Sequence, residues 1–369
     1  MATDIRVLDR AGLDRLVEVL LGEGYRVVGP TVRDDAIVLA ELDSGAELPA
    51  GWGVETAPGR YRLRRRTDAA VFGHSAGPQS WKRFLHPPHR ALWHTGPDGE
   101  FVAAAEAVQR YAFLGVRACD LAAISVLGTV LAASGSFTRR RQGLFTIAAN
   151  CTEPGEVCFC ASMRTGPGVS GGYDLGLTEL IDDDGHRFVV DVGSAEGERV
   201  LGLVATRDAA DREVAEARAG VEAAAAKMGR AMPPGDLRTL MRESRESPVW
   251  SEIASRCLTC GNCTMVCPTC FCTTTEDVTD VTGEHVGRAE RWASCFELDF
   301  SYVHGGSVRE SGDSRYRQWM SHKLSTWYDQ FGTSGCVGCG RCIAWCPAGI
   351  DITVEAARLA AEGAGHVGG

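Results

Sequence analysis

The sequence predicts an α+β protein in two parts: a mixed α/β region over residues 1–240 and a cysteine-rich region over residues 241–369. Three observations lead there. Helix-like and strand-like apolar patterns alternate irregularly up to about residue 232. From about Ser247 the composition shifts to Cys, Gly, Thr and Trp. The fifteen cysteines fall in short-spaced groups. At 369 residues the chain is long enough for about two domains with their own cores.

Over residues 9–22, Leu13, Leu16, Val17, Val19 and Leu20 fall at helical spacing, and Gly22 and Gly24 end the run. Strand-like runs follow at Arg26–Val28, Ala36–Leu39, Ala112–Val116, Gly143–Ala149 and Arg187–Val192. The basic run Arg62–Arg66 reads as a solvated strand face. Trp81–His94 carries His86, His89 and His94 around Pro87-Pro88. It reads as a proline-rich surface loop, because His spacing on irregular backbone is a weak metal signal. Asp208–Met232, rich in Ala, Glu and Arg, predicts a connecting helix that stops before Pro233-Pro234. A last helix is predicted at Val354–Glu362, ahead of a Gly-rich tail expected to be disordered.

The net charge of −10, from 48 acidic and 38 basic residues, argues against nucleic acid as a partner, since phosphate neutralisation needs a basic surface. The N-terminus lacks the basic start, apolar core and cleavage site of a secretory signal, and no later segment stays apolar long enough to cross a membrane. A cytoplasmic chain follows as the expectation. An odd number of thiols kept reduced there points to metal or cluster ligation rather than disulfides.

Cys257-Leu-Thr-Cys260-Gly-Asn-Cys263-Thr-Met-Val-Cys267-Pro268 is a C-x2-C-x2-C-x3-C-P run, and Cys336-Val-Gly-Cys339-Gly-Arg-Cys342-Ile-Ala-Trp-Cys346-Pro347 is a second. In bacterial ferredoxins three thiolates of such a run hold one cubane and the fourth serves the other cluster. The expected [4Fe–4S] ligand sets are therefore crossed: Cys257, Cys260, Cys263 with Cys346, and Cys336, Cys339, Cys342 with Cys267. Gly261, Gly338 and Gly340 let the backbone turn close to sulfur, and Val266, Ile343, Trp345 and Ile350 are placed to exclude water. Zinc knuckles are the competing reading of C-x2-C pairs, but two complete runs each closed by proline favour clusters. Crossing makes residues 268–335 an insertion within a ferredoxin-like domain rather than a linker.

Seven cysteines remain. Cys119, Cys151, Cys158 and Cys160 supply four thiols from two segments, enough for a third [4Fe–4S] cluster, with buried core thiols as the alternative. Cys270, Cys272 and Cys295 are one ligand short. They either complete a cluster with another ligand, pack against one, or form a reactive thiol site. Arg288, Arg291, Arg309, Arg315, Arg317, His322 and Lys323 make the insertion locally basic. That pattern suits hydrogen bonds toward a cluster, partner docking or ordinary surface ion pairs.

Taken together, GVRACD at Gly115–Asp120, Cys151 with Cys158-Phe-Cys160, CPTCFC at residues 267–272, Arg291-Trp-Ala-Ser-Cys295, Gly305-Gly306, His322-Lys323 and Cys336–Cys346 cover nearly the whole chain. The set resembles the β subunit of cytoplasmic NAD(P)-linked [NiFe] hydrogenases of the sulfhydrogenase type, and the related A subunit of anaerobic sulfite reductase. The resemblance implies an electron-transfer subunit that assembles with a flavin-containing NAD(P)H subunit and with hydrogenase small and large subunits. Hydride chemistry and hydrogen activation then lie in those partners, and no catalytic residue is assigned here. No G-x-G-x-x-G after a strand and no P-loop is present, so no flavin or nicotinamide site is evident in the sequence. A different reading is a flavin-binding iron–sulfur oxidoreductase whose extra cysteines act on sulfur compounds.

Overall fold

A computed structural model describes residues 5–366 apart from residues 97, 107 and 284. Its organising element is an eight-stranded mixed sheet. In spatial order the strands are Arg207–Asp208, Arg6–Asp9, Gly185–Val192, Leu175–Asp182, Phe145–Ala149, Tyr111–Val116, Arg26–Arg33 and Ala36–Glu41. The strands from Leu175–Asp182 to Arg26–Arg33 run parallel to one another, and the flanking pairs are antiparallel. Every residue of Tyr111–Val116 and Phe145–Ala149 is buried, as expected of strands covered on both faces. The first helix, Arg10–Gly22, begins at Asp9, whose carboxylate accepts from Gly12 N–H at 2.7 Å. Its Leu13, Leu16, Val17 and Leu20 pack on the sheet with Phe145, Ile147 and Phe188.

Each predicted strand is present and most are longer than their apolar runs. The connecting helix is shorter, Asp211–Ala226. Its Glu213 turns back to accept from Arg187 Nε at 2.7 Å, fixing the helix start three residues into the predicted stretch. The final helix, Ile352–His366, extends through part of the Gly-rich tail, and residues 367–369 lie outside the described residues. Among the described residues no helix is long and apolar enough to cross a membrane.

Trp81–His94 is not the surface loop its composition suggests. Trp81 and Lys82 are 2% and 3% exposed, and His89–Thr95 is a strand. It pairs with Val286–Trp292 of the insertion in a four-stranded sheet completed by Thr273–Thr279 and Phe101–Ala103, with His89 opposite Arg291. A strand whose partner lies about two hundred residues away leaves no local pattern to read. The sheet also joins the insertion to the N-terminal region. The rest of the insertion contributes Phe296, Tyr316, Trp319 and Met320 to a second core, with Trp250 and Ile253 ahead of the first cysteine run and Ile343, Ile350 and Leu359 from the second run onward.

Candidate functional site: three groups of thiols

The first run leaves helix Val249–Arg256 at Cys257 and winds through the short helix Asn262–Met265, and the second winds likewise through Arg341–Ala344, which packs against it. Cys257, Cys260, Cys263 and Cys346 line one small cavity together with Cys342 of the second run, and its walls include Phe296, Tyr316 and Trp319. Burial first, then the neighbouring thiols Cys295, Cys257 and Cys346, push the Cys263 thiol well above the usual thiol range. Backbone amides reach sulfur here: Thr259 N–H donates to Cys257 Sγ and Ile350 N–H to Cys346 Sγ, each at 3.4 Å.

Cys336, Cys339, Cys342 and Cys267 form the second group. The Cys342 thiol is raised by burial and by Cys336, Cys339 and Cys267, and Cys336 is pushed up to about 12, burial being the main cause. Cys267 goes the other way, because Cys270 hydrogen-bonds to it and the Lys323 ammonium and Thr269 favour its thiolate. Lys323 is 3% exposed in a π-helical turn, His322–Thr326, and donates to Thr269 Oγ1 at 3.1 Å and Gly335 O at 3.3 Å. Against burial, which favours the free amine, Cys267, Cys270 and Cys336 hold Lys323 charged.

Cys119 and Cys151 follow the C-terminal ends of the adjacent parallel strands Tyr111–Val116 and Phe145–Ala149, the edge where open sheets place ligands. Cys158 and Cys160 neighbour Cys151, and Cys119 neighbours Cys160, in a third set of thiols, although among the described residues no three Cys, His, Asp or Glu side chains are placed to hold a metal ion. Cys158 is raised by burial, then by Cys151 and Cys160, and Cys160 is pushed up to about 12 by burial, then by Cys151 and Cys339. This group lies against the second run. Phe159 N–H donates to Gly338 O at 2.9 Å and Thr165 Oγ1 to Val337 O at 2.6 Å. A Cβ on Gly338, whose φ is +68°, would stand 2.6 Å from Cys160 N and Cα. Arg341 clamps the contact: its guanidinium, 3% exposed, meets Asp120 of the GVRACD segment at 2.8 Å and also donates to Gly77 O and Gln79 O.

The remaining trio does not stand apart. Cys270 leans on Cys267, and Cys295, pushed up to about 12 by burial and then by Cys272, also neighbours Cys263. Beside them Lys82, which sequence reasoning left in a loop, donates to Cys270 O at 2.9 Å and lies 3.7 Å over the Trp292 ring. Lys82 and the Asp120–Arg341 pair are the site residues that the sequence does not announce, since each acts across about two hundred residues.

Most of these thiols are held neutral by burial. A buried thiol becomes a ligand when a metal supplies the positive charge that water would otherwise provide. Sulfur-only groups, amides directed at sulfur, and apolar walls suit iron–sulfur clusters. A family model described as a 4Fe-4S dicluster domain matches residues 256–350. The chain is 30% identical over 276 residues to sulfhydrogenase 2 subunit beta of Pyrococcus furiosus, an alignment spanning 73% of this chain and 79% of that protein. No solved structure matches.

Proposed function

The chain belongs to the sulfhydrogenase β-subunit family, and from that premise we propose that it is a three-centre relay within a hydrogenase assembly. It is an iron–sulfur electron-transfer subunit of a hydrogenase. The finer reading assigns one [4Fe–4S] cluster to Cys257, Cys260, Cys263 and Cys346, one to Cys336, Cys339, Cys342 and Cys267, and one to Cys119, Cys151, Cys158 and Cys160. When bound, each cluster supplies one-electron redox capacity. The protein's own work is to hold the centres, keep water from them and set their order of potential.

What supports this reading is that Cys346 lines one cavity with the first three thiols of the first run, Cys342 alongside, and that Cys267 neighbours Cys336, Cys339 and Cys342, with the Cys158–Cys160 segment laid on the backbone of the second run. That arrangement supports an electron path from the third group through the second to the first. The first reaches the surface at the exposed Cys260. Buried Lys323 favours negative charge in the second group and so favours its reduction. Partners that fit are a flavin-containing NAD(P)H subunit and the hydrogenase small and large subunits, which carry out hydride transfer and hydrogen activation.

The test is iron and acid-labile sulfide content of the anaerobically purified chain, with EPR of its reduced form. About twelve irons per chain supports three cubanes, about eight restricts the relay to the two C-terminal groups, and tightly bound zinc without a reducible centre rejects it.

A further inference from the structure

Cys260 is exposed while the other thiols are buried or half-buried, so the first group is where an electron carrier approaching from outside meets the relay. The surface around it is shaped by a hairpin that the relay does not use, Trp52–Ala57 paired with Arg60–Arg65. The turn of this hairpin sits on the second run. Gly59 N–H donates to Ile343 O at 3.0 Å, a Cβ on Gly59 would stand 2.9 Å from Cys346 O, and the Tyr61 ring lies 5.1 Å from that of Trp345. Trp345 O in turn accepts from the Asn262 side chain at 3.3 Å, two residues on from Cys260. Hairpin, Trp345, Asn262 and Cys260 therefore form one continuous surface. Leu258, 64% exposed and lining the same cavity as Cys260, adds an apolar spot to it.

The outer face of the hairpin is basic. Strand alternation puts Arg60, Arg62 and Arg64 on the side opposite Tyr61 and Leu63, and Arg65 lies 3.7 Å over the Trp52 ring. All four arginines are exposed. Glu55 is shared between Arg60 at 2.7 Å and Arg64 at 3.8 Å, and Glu156, which accepts from Thr56, lies near Arg64. Arg66 is already held by Asp68 and Glu153. Among the described residues Arg62 meets no carboxylate, unlike Arg187, Arg199 and Arg212 around the main sheet. Four exposed arginines against two carboxylates leave a positive patch on a chain whose net charge is −10. A patch opposite in sign to the rest of the chain, beside the exposed thiol, is what steering of an acidic protein requires. An extended polyanion such as nucleic acid would also face the acidic remainder of the chain, whereas a small acidic protein covers the patch alone.

We propose that this surface, the arginine face of the hairpin with Leu258 and Cys260, docks a small acidic protein that carries a one-electron centre, and that single electrons pass between that carrier and the first thiol group. Each passage oxidises one centre by one electron and reduces the other by one, with no bond made or broken. Docking stands on the shape and charge of the surface. The passage of electrons rests on the cluster assignment proposed above, and the measurements separate the two.

The experiment uses the full-length, anaerobically purified chain and, as probe, an acidic plant-type [2Fe–2S] ferredoxin. Calorimetric titration of the two oxidised proteins reads docking, and stopped-flow mixing with the reduced ferredoxin reads transfer, each between about 20 and 300 mM salt. The expected result is one ferredoxin per chain at low salt and a transfer rate that falls about tenfold or more across that range. Arg62→Glu combined with Arg64→Glu lowers both affinity and rate about tenfold or more at low salt, and Arg62→Gln alone has an intermediate effect. Iron content and the EPR spectrum of the dithionite-reduced chain stay unchanged in both variants. A charge-reversed chain indistinguishable from the parent, a rate that ignores salt, or a basic cytochrome c bound as tightly as the ferredoxin overturns the proposal. Self-association that the same substitutions abolish, with ferredoxin binding unchanged, assigns the face to a second copy and also overturns it. A Cys346→Ala chain that binds ferredoxin like the parent but takes up electrons more slowly supports both readings; one that binds and takes up electrons at the parent's rate contradicts the assignment of Cys346 and leaves the docking surface supported.

Discussion

The two cysteine runs share one spacing and meet opposite surroundings. In Cys257-Leu-Thr-Cys260 the third residue is Thr259 and in Cys336-Val-Gly-Cys339 it is Gly338, and both have left-handed backbone, φ +50° and +68°. Thr259 is a β-branched residue in a conformation that costs about 1–3 kcal/mol, and it is held there in part by its N–H···S bond to Cys257. Gly338 has no such choice, because the backbone of Cys160 occupies the space of a side chain. Three residues on, Asn262 is exposed while Arg341 is buried against Asp120. Leu258 is 64% exposed and its counterpart Val337 is 3% exposed. Spacing thus sets which sulfurs come together, and the residues between them set whether a run faces outward to a partner or inward to the rest of the chain.

Substitution at matched positions should break this symmetry unequally. The largest effect is expected at Arg341. Arg341→Met leaves Asp120 as an unpaired buried charge and should cost about 3–5 kcal/mol in urea unfolding of the anaerobic chain, while Asn262→Met stays within about 0.5 kcal/mol. Equal costs at the two positions would contradict the inward–outward distinction. Next, Gly338→Ala should lose about 3 kcal/mol and with it iron from the third group, since backbone must move to admit the methyl group. Thr259→Gly should change stability by no more than about 1 kcal/mol, relief of strain offsetting the added freedom of the unfolded chain.

Lys323→Met, which removes a buried charge beside Cys267, should lower the reduction potential of the second centre and leave the first nearly unmoved in an EPR-monitored redox titration. A further effect lies outside both runs. Arg207, with Arg187, holds the Glu213 carboxyl down to about 2 from its ordinary 4.5. A group whose folded pKa is depressed contributes stability that is complete above the unfolded value and is lost as pH falls through the folded one. Stability of the N-terminal sheet should therefore decline between about pH 4.5 and 2, and Glu213→Gln should remove that slope without altering either run.

Much of the sheet was legible because its central strands are continuous apolar runs, and the dicluster region over residues 256–350 because cluster chemistry demands fixed cysteine intervals. What the sequence hid was long-range pairing. His89–Thr95 finds its strand partner in the insertion, Lys82 reaches Cys270, and Asp120 meets Arg341 across 221 positions.

Crossing of the two runs is the claim on which the relay rests. It is tested most directly by comparing EPR spectra of the reduced Cys346→Ala, Cys260→Ala and Cys339→Ala chains. Crossing predicts that Cys346→Ala perturbs the same centre as Cys260→Ala and spares the one altered by Cys339→Ala. A Cys346→Ala spectrum that instead matches the Cys339→Ala chain would contradict it.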